Sequence, residues 1–223
     1  MRKELRSVIY DTVFITGCDS NCEWQLPWFL ENYFKHNDTP LAFMDFGITA
    51  EAADLLSEYG VEIISFTSQN KGWFKKPRAI WEATNYLING AVCWLDTDCQ
   101  VTGDISGIFD HYVPQKIGMV ADRPWTKRRP TNGTWYNSGV VLTDRNANLY
   151  NWVLKCESEP KEGDQEVLHN MTTEISRLSI VEPLPHTYNT LRLDYIDNIN
   201  EENPLIIHHT GHKGKDKIRE MMK

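Results

Sequence analysis

Short apolar runs and longer amphipathic segments take turns along the chain. Residues 12–17, 41–46 and 61–66 are compact apolar runs of the kind that form strands. Residues 23–36 place Trp24, Trp28, Phe29 and Tyr33 at helical spacing, with Pro27 suited to a first turn. Residues 48–59 predict a second helix, stopped at Gly60. This alternation predicts an α/β architecture, with a mostly parallel central sheet flanked by helices, in one Rossmann-like domain spanning residues 1–223.

A third helix opens at Pro77 and buries Ile80, Trp81, Thr84, Leu87 and Ile88. It leads into Ala91-Val92-Cys93-Trp94-Leu95, the pattern of a central strand covered on both faces. That strand ends in Asp96-Thr97-Asp98. In open α/β sheets the ligand crevice lies beyond the carboxyl ends of the strands. Two carboxylates placed there can share a hard divalent cation that also touches phosphates. The plainer reading, in which Asp98 caps a turn and Asp96 is solvated, also fits the motif taken alone.

Residues 103–109 predict a short helix and 116–121 a strand ending at Asp122. Residues 122–134 are polar, basic and proline-containing (Arg123, Pro124, Lys127, Arg128, Arg129, Pro130) and predict a long, mobile or functional loop. A strand at 139–143, a helix at 145–157, a helix opening at Gly163 and a weak strand at 180–183 follow. Residues 184–189 predict a turn, 203–209 a last strand, and 211–215 a basic, glycine-rich turn before the tail.

The formal net charge of −8 speaks against a broad nucleic-acid footprint. No apolar run approaches the ~20 residues that span a bilayer, and no signal-peptide core precedes Val13. The expectation is a cytoplasmic protein without an integral membrane segment. Five cysteines lack the pairing of a zinc site, so reduced thiols are expected.

Three groups carry candidate chemistry. The first is Asp96 with Asp98. The second is His208, at the tip of another apolar strand, where an imidazole could complete a cation's shell or simply be hydrogen-bonded. Oxygen-rich ligation with one imidazole suits Mn²⁺, with Mg²⁺ as the alternative, better than Ca²⁺ or structural Zn²⁺. The third is basic: Lys76 and Arg78 at a helix start, where cations oppose the dipole, and Lys213 and Lys215 beside glycines. These lysines and the arginine suit either a diphosphate or bulk solvent. Asn137-Ser138-Gly139 and Gly163-Asp164-Gln165 add short polar side chains that recognise hydroxyl-rich molecules.

Taken in order, six segments resemble glycosyltransferase family 8, the retaining group that includes glycogenin and bacterial galactosyltransferases. They are the first strand with its polar turn, Trp94-Leu95-Asp96-Thr97-Asp98, Tyr136-Asn137-Ser138-Gly139-Val140, Gly163-Asp164-Gln165, Leu184-Pro185-His186-Thr187-Tyr188-Asn189 and Ile206-Ile207-His208-His209-Thr210-Gly211. The resemblance covers nearly the whole chain and implies a GT-A fold and hexose transfer from a UDP-sugar to a hydroxyl acceptor. It implies that Asp96, Asp98 and His208 hold Mn²⁺ against the diphosphate. Thr16, Gly17, Cys18 and Asp19 would receive the uridine, and Thr97, Ser138 and Gly211 would lie along the donor. Lys76 or Arg78 would contact phosphate or sugar. Asp122, Asn137, Asp164 and Gln165 would line the donor-sugar pocket. This chain departs from the family's last motif: Gly214 stands where the phosphate-binding lysine is expected, and no Pro-Trp follows. Lys213 is the favoured substitute, with Lys215 as the other choice. A sugar nucleotidyltransferase and a non-catalytic nucleotide-sugar binder are the rival readings. The first lacks its Gly-rich basic loop here, since residues 17–21 hold one glycine and no base.

Overall fold

The computed structural model describes residues 10–86, 88–129, 133–159, 162–199 and 203–223. The predicted parallel core is present as β1 (Tyr10–Cys18), β2 (Leu41–Asp45), β3 (Glu62–Ser65) and β4 (Ile88–Leu95), which pair in parallel in the order β3-β2-β1-β4. Three helices join them: α1 (Leu26–His36), α2 (Ala50–Glu58) and α3 (Lys76–Tyr86). Pro27 sits in the first turn of α1, and the Thr49 side chain caps α2 by accepting from the Ala52 N–H. Ile88, expected on the helix stripe, opens β4, and Leu87 lies outside the described residues.

After β4 the chain makes a short β5 (Cys99–Val101), then β6 (Ile117–Ala121), α4 (Arg123–Arg128) and β7 (Tyr136–Thr143). Helices α5 (Ala147–Ser158), α6 (Asp164–Asn170) and α7 (Glu174–Ile180) lead to β8 (Val181–Pro183). The central sheet has seven strands, completed as β4-β7-β6-β8, with β7 antiparallel to both β4 and β6. The last stretch carries β9 (Thr190–Leu191), α8 (Arg192–Ile196), β10 (Ile206–His208) and α9 (Gly211–Met221). β10 lies between β5, antiparallel, and β9, parallel, in a second small sheet.

Strand alternation sends successive side chains to opposite faces. Phe14, Cys93 and Leu95 pack with Leu26, Phe29 and Tyr33 of α1. Val13, Ile15, Val92 and Trp94 pack with Ala79 and Ile80 of α3, Trp152 of α5 and Leu168 of α6. Both faces of β4 are therefore covered, which is why residues 91–95 read as one unbroken apolar run. At about 1.5–3 kcal/mol for each large side chain buried, these two layers hold the strand tips rigidly. The same alternation puts Asp96 on Trp94's side, where α3 begins.

Two expectations are corrected. Residues 123–128, expected as loop, form α4, because the Asp122 side chain accepts from the Trp125 N–H at 2.8 Å and Pro124 fits the first turn. Arg129 stacks over Trp125 and Trp135, tying the helix end down, while Pro130 lies outside the described residues. Residues 211–215, expected as a turn, open α9. A Cβ on Gly214 would stand 1.9 Å from the His209 carbonyl oxygen, so only glycine lets this first turn press on the chain leaving β10. Gly214 and Ile218 are the buried positions of α9, too few for a periodic signal. No helix among the described residues is long and apolar enough to cross a membrane.

Candidate active site

The tip of β4 builds the first half of the site. The Asp96 N–H donates to the Gly139 carbonyl at 2.8 Å, extending the β4–β7 ladder, and the Cys99 N–H turns back to the Asp96 carbonyl at 3.0 Å. This tight return leaves both carboxylates partly exposed. Trp94 Nε1 donates to Asp96 Oδ1 at 2.6 Å. Lys76, 5% exposed at the start of α3, meets Asp96 at 2.9 Å and Asp164 at 3.2 Å, and also donates to the Ser138 carbonyl and hydroxyl. Burial works against the lysine's charge, but the Asp164 and Asp96 carboxylates outweigh it and hold the ammonium above its usual range. A cation that opposes its own helix dipole is thus accounted for by two anions, buried Asp164 and half-buried Asp96.

His208 builds the other half. Its ring lies against Gly139, where any Cβ would fall 2.1 Å from His208 Cε1. Nδ1 is 3.1 Å from Asn137 Oδ1 and 3.1 Å from Asn189 Oδ1. Asn137 Oδ1 also accepts the Gly139 N–H at 2.9 Å and the Asn189 amide at 2.9 Å, which fixes both amide orientations. With only acceptors facing it, Nδ1 carries a proton, and Nε2 turns to Asp98 Oδ1 at 3.1 Å and Asp96 Oδ2 at 3.9 Å. Burial lowers the imidazole's affinity for a proton, but Asp98 beside it reverses the sign and raises it. Asp98, half-buried, is held below the carboxylate range by His208 against the effect of desolvation, whereas desolvation pushes Asp96 up against the pull of Lys76.

A neutral Nε2 lone pair aimed at two carboxylates is stable only when a cation lies between them or the ring is protonated. Three carboxylates here share one lysine and one imidazole, so the donor set fits a hard dication bound by Asp96, Asp98 and His208.

A polar wall continues from His208. Asn137 Nδ2 donates to Gln165 Oε1 at 3.1 Å and approaches Asp122 Oδ2 at 3.4 Å, and Gln165 Nε2 donates to Asp122 Oδ2 at 3.1 Å. Asp122 therefore caps α4 with one oxygen and orients Gln165 with the other. Asp164 and Gln165 open α6, whose register on β7 brings both beside Lys76 and Asn137.

Neither a family model nor a curated protein matches the sequence significantly. Solved structures do. The galactosyltransferase LgtC, in complex with donor and acceptor sugar analogs, superposes with a TM-score of 0.68 at 14% identity, covering 94% of both chains. The apo-form glycosyltransferase GlyE of Streptococcus pneumoniae gives 0.66 at 19% identity, over 91% of this chain and 55% of its own. Mouse xyloside xylosyltransferase 1 gives 0.57 at 11% identity, over 90% and 97%. The chain has the GT-A fold of these glycosyltransferases.

Within the GT-A fold, Asp96, Asp98, His208, Lys76, Ser138, Asp164, Asn137, Gln165 and Asp122 converge in one hydrogen-bonded constellation, and other expected residues stand apart from it. Thr97 is buried behind the carboxylates. Thr16 donates to the Leu95 carbonyl at 2.7 Å, Gly17 pairs with Met44, and Cys18 is buried. Asp19 Oδ1 accepts the Asn21 N–H in a polar turn at the end of β1. Arg78 is engaged by Glu157 through two 2.9 Å bonds and by Glu82. Gly211 opens α9 with a φ of 72°. Lys213 lines a groove with Arg192, Tyr195 and His209, whereas Lys215 reaches Cys22 at 3.8 Å and helps hold the Asp98 carboxyl down. Of the two lysines, Lys215 is the one whose charge acts on the Asp98 carboxyl.

Sequence reasoning missed Asn189 as a site residue. It is wholly buried and brought beside His208 by the β9–β10 pairing, a contact no local pattern announces. The segment that carries it is tied down by Asp194, which accepts the Leu191 N–H at 2.7 Å and meets His186 at 3.3 Å. Burial, chiefly, raises the Asp194 carboxyl to about 6. The folded chain therefore binds this proton more readily than the unfolded one, so the associated stability is present below about pH 4 and lost as pH rises through about 6. Asp194→Asn, neutral at every pH, should gain about 1–2 kcal/mol on the native protein between pH 5 and pH 8. Thermal melts of both proteins at the two pH values check this, and an equal difference at both would rule it out.

Proposed function

We propose that this protein is a retaining, metal-dependent glycosyltransferase that moves a hexose from a UDP-sugar to a hydroxyl acceptor. The observation that carries the reading is the meeting of Asp96, Asp98 and His208 at two strand tips, beside a Lys76–Asp164 pair and an oriented Gln165. Mn²⁺, or Mg²⁺ in its place, would supply neutralisation of the diphosphate's growing charge. Asp96, Asp98 and His208 Nε2 would hold it. Lys215 would add a positive charge on the same side. Asn137 and Asp122 hold the Gln165 amide in one orientation, so it can meet a developing charge without reorganising. Gln165 is a poor nucleophile, and Asp164 is engaged by Lys76. Both facts favour front-side attack, with the acceptor proton leaving toward the departing phosphate.

UDP binds the native state alone in this reading and stabilises it accordingly. It should raise Tm in Mn²⁺ and much less in EDTA. An equal shift with and without metal would remove Asp96, Asp98 and His208 as ligands. Stabilisation without turnover of any UDP-sugar would leave a binder rather than an enzyme.

The Asn189 amide makes a second expectation. Partners that fix the far nitrogen of a ligating histidine typically contribute 10–100-fold to metal affinity. Asn189→Ala should weaken Mn²⁺ binding by roughly that factor in calorimetry. Asn189→Asp should not restore it, because its second oxygen would face the Asn137 Oδ1 to which the amide now donates. If both variants bind Mn²⁺ like the native protein, Asn189 is packing only.

A further inference from the structure

Cys99 follows Asp98 directly and is wholly buried. In the small antiparallel pairing it stands opposite His208, so the two side chains project from the same face. A carboxylate oxygen of Asp98, Cys99 Sγ and an imidazole nitrogen of His208 lie within 4.8 Å of one another. They are the one such group of potential metal ligands among the described residues. Cys99 Sγ also has a long 3.7 Å contact to the Gly139 carbonyl and a hydrogen bond with the Asp96 backbone. A buried cysteine is ordinarily a small apolar filler. Cys93 and Cys156, both buried, belong to no such group.

We propose that Asp98, Cys99 and His208 form a site for a thiophilic divalent cation, Zn²⁺ first among them, which displaces the hard donor-site cation and silences transfer. Tetrahedral Zn²⁺ takes sulfur at ~2.3 Å and nitrogen or oxygen at about 2.0–2.2 Å, which sets ligand atoms roughly 3.5 Å apart. The three groups reach that spacing by a small closing of side chains. Mn²⁺ and Mg²⁺ prefer oxygen and leave the thiol aside, so the two classes of ion use overlapping but different ligand sets. On binding Zn²⁺ the thiol releases its proton to solvent and remains as a coordinated thiolate. No oxidation is involved. The inhibitory consequence rests on the donor-metal reading above; the Zn²⁺ site itself does not.

Co²⁺ reports directly on the sulfur. Titrated into the reduced native protein, it should give an intense thiolate-to-cobalt absorption band in the near ultraviolet. Cys99→Ser should lose that band and bind Zn²⁺ at least tenfold more weakly, whereas Cys22→Ser, which changes the half-buried cysteine near Lys215, should keep both. Both variants should retain the Mn²⁺-dependent Tm shift with UDP. Absence of the band in the native protein, or Zn²⁺ affinity unchanged in Cys99→Ser, overturns the proposal. Should Cys99→Ser not fold, X-ray absorption on the Zn²⁺-loaded native protein decides: a sulfur neighbour at ~2.3 Å supports the site, and a shell of nitrogen and oxygen alone refutes it. A missing Mn²⁺–UDP shift with the cobalt band present would instead defeat the transferase reading and leave the thiolate site standing.

Discussion

Asp98→Asn should lower Mn²⁺-dependent sugar transfer by at least two orders of magnitude while leaving the ligand-free protein folded. A unit charge 4 Å from another is worth about 4 kcal/mol at an effective dielectric of 20, an upper guide to what a bound cation loses. Each ~1.4 kcal/mol is tenfold in rate, so two orders of magnitude need about 2.8 kcal/mol, which lies within that figure. From the sequence alone, the stability of the ligand-free variant should change little or even rise, because two close carboxylates repel when no cation lies between them. The structure narrows this to the first outcome, because Asp98 is already bonded to His208 and Asp96 to Lys76. An asparagine amide can donate to the neutral Nε2 in place of the ion pair, so Tm should move little in either direction. Turnover and apo melting on one preparation test both parts. Unfolding of the apo variant would make the pair structural, and normal turnover would place the metal elsewhere.

Lys76→Met should be the most destabilising single change at the site. The substitution keeps the length of the side chain and its helix propensity but leaves Asp96 and Asp164 facing each other without their shared cation. Removing one partner of a buried ion pair typically costs about 3–5 kcal/mol, since the remaining charge stays buried and unpaired. The defect should depend on pH with a definite sign. The Asp96 carboxyl is already raised by burial, and loss of Lys76 removes the pull that opposes it. The variant's native state then takes up a proton more readily than its unfolded state, so stability is retained at low pH and lost as pH rises through the raised value. Urea midpoints should differ least from the native protein near pH 5 and most near pH 8. A variant that is equally stable but inactive would show instead that Lys76 is held in reserve for the donor's phosphate or sugar, the role implied by resemblance.

How the site came to be legible differs from residue to residue. Asp96 and Asp98 follow from local pattern, because an apolar run covered on both faces must end where the backbone leaves the core. Asp122 was visible as a strand end, but its cap on α4 was hidden by the surrounding charge, although Asp with a proline in the turn that follows is itself a helix-start signal. Lys76 could be marked as a cation against a dipole, yet only the packing of α3 on β4 and α6 shows which anions answer it. Lys213 and Lys215 could not be separated by sequence. They lie two positions apart on α9, and the helical rotation between them sends Lys213 to an outer groove and Lys215 toward Cys22.

The order of strands and helices, the double burial of β4 and the carboxylates at its tip were determined by the sequence itself, through periodicities that act over one or two turns of chain. The antiparallel course of β7, the seat of His208 against Gly139, the reach of Asn189 to its Nδ1 and the facing of Cys99 with His208 were decided only by the tertiary structure. Each of these joins segments far apart in the chain through strand register and shared burial. A hydrophobic pattern records that a residue is covered, and the identity of what covers it emerges only when the sheets close.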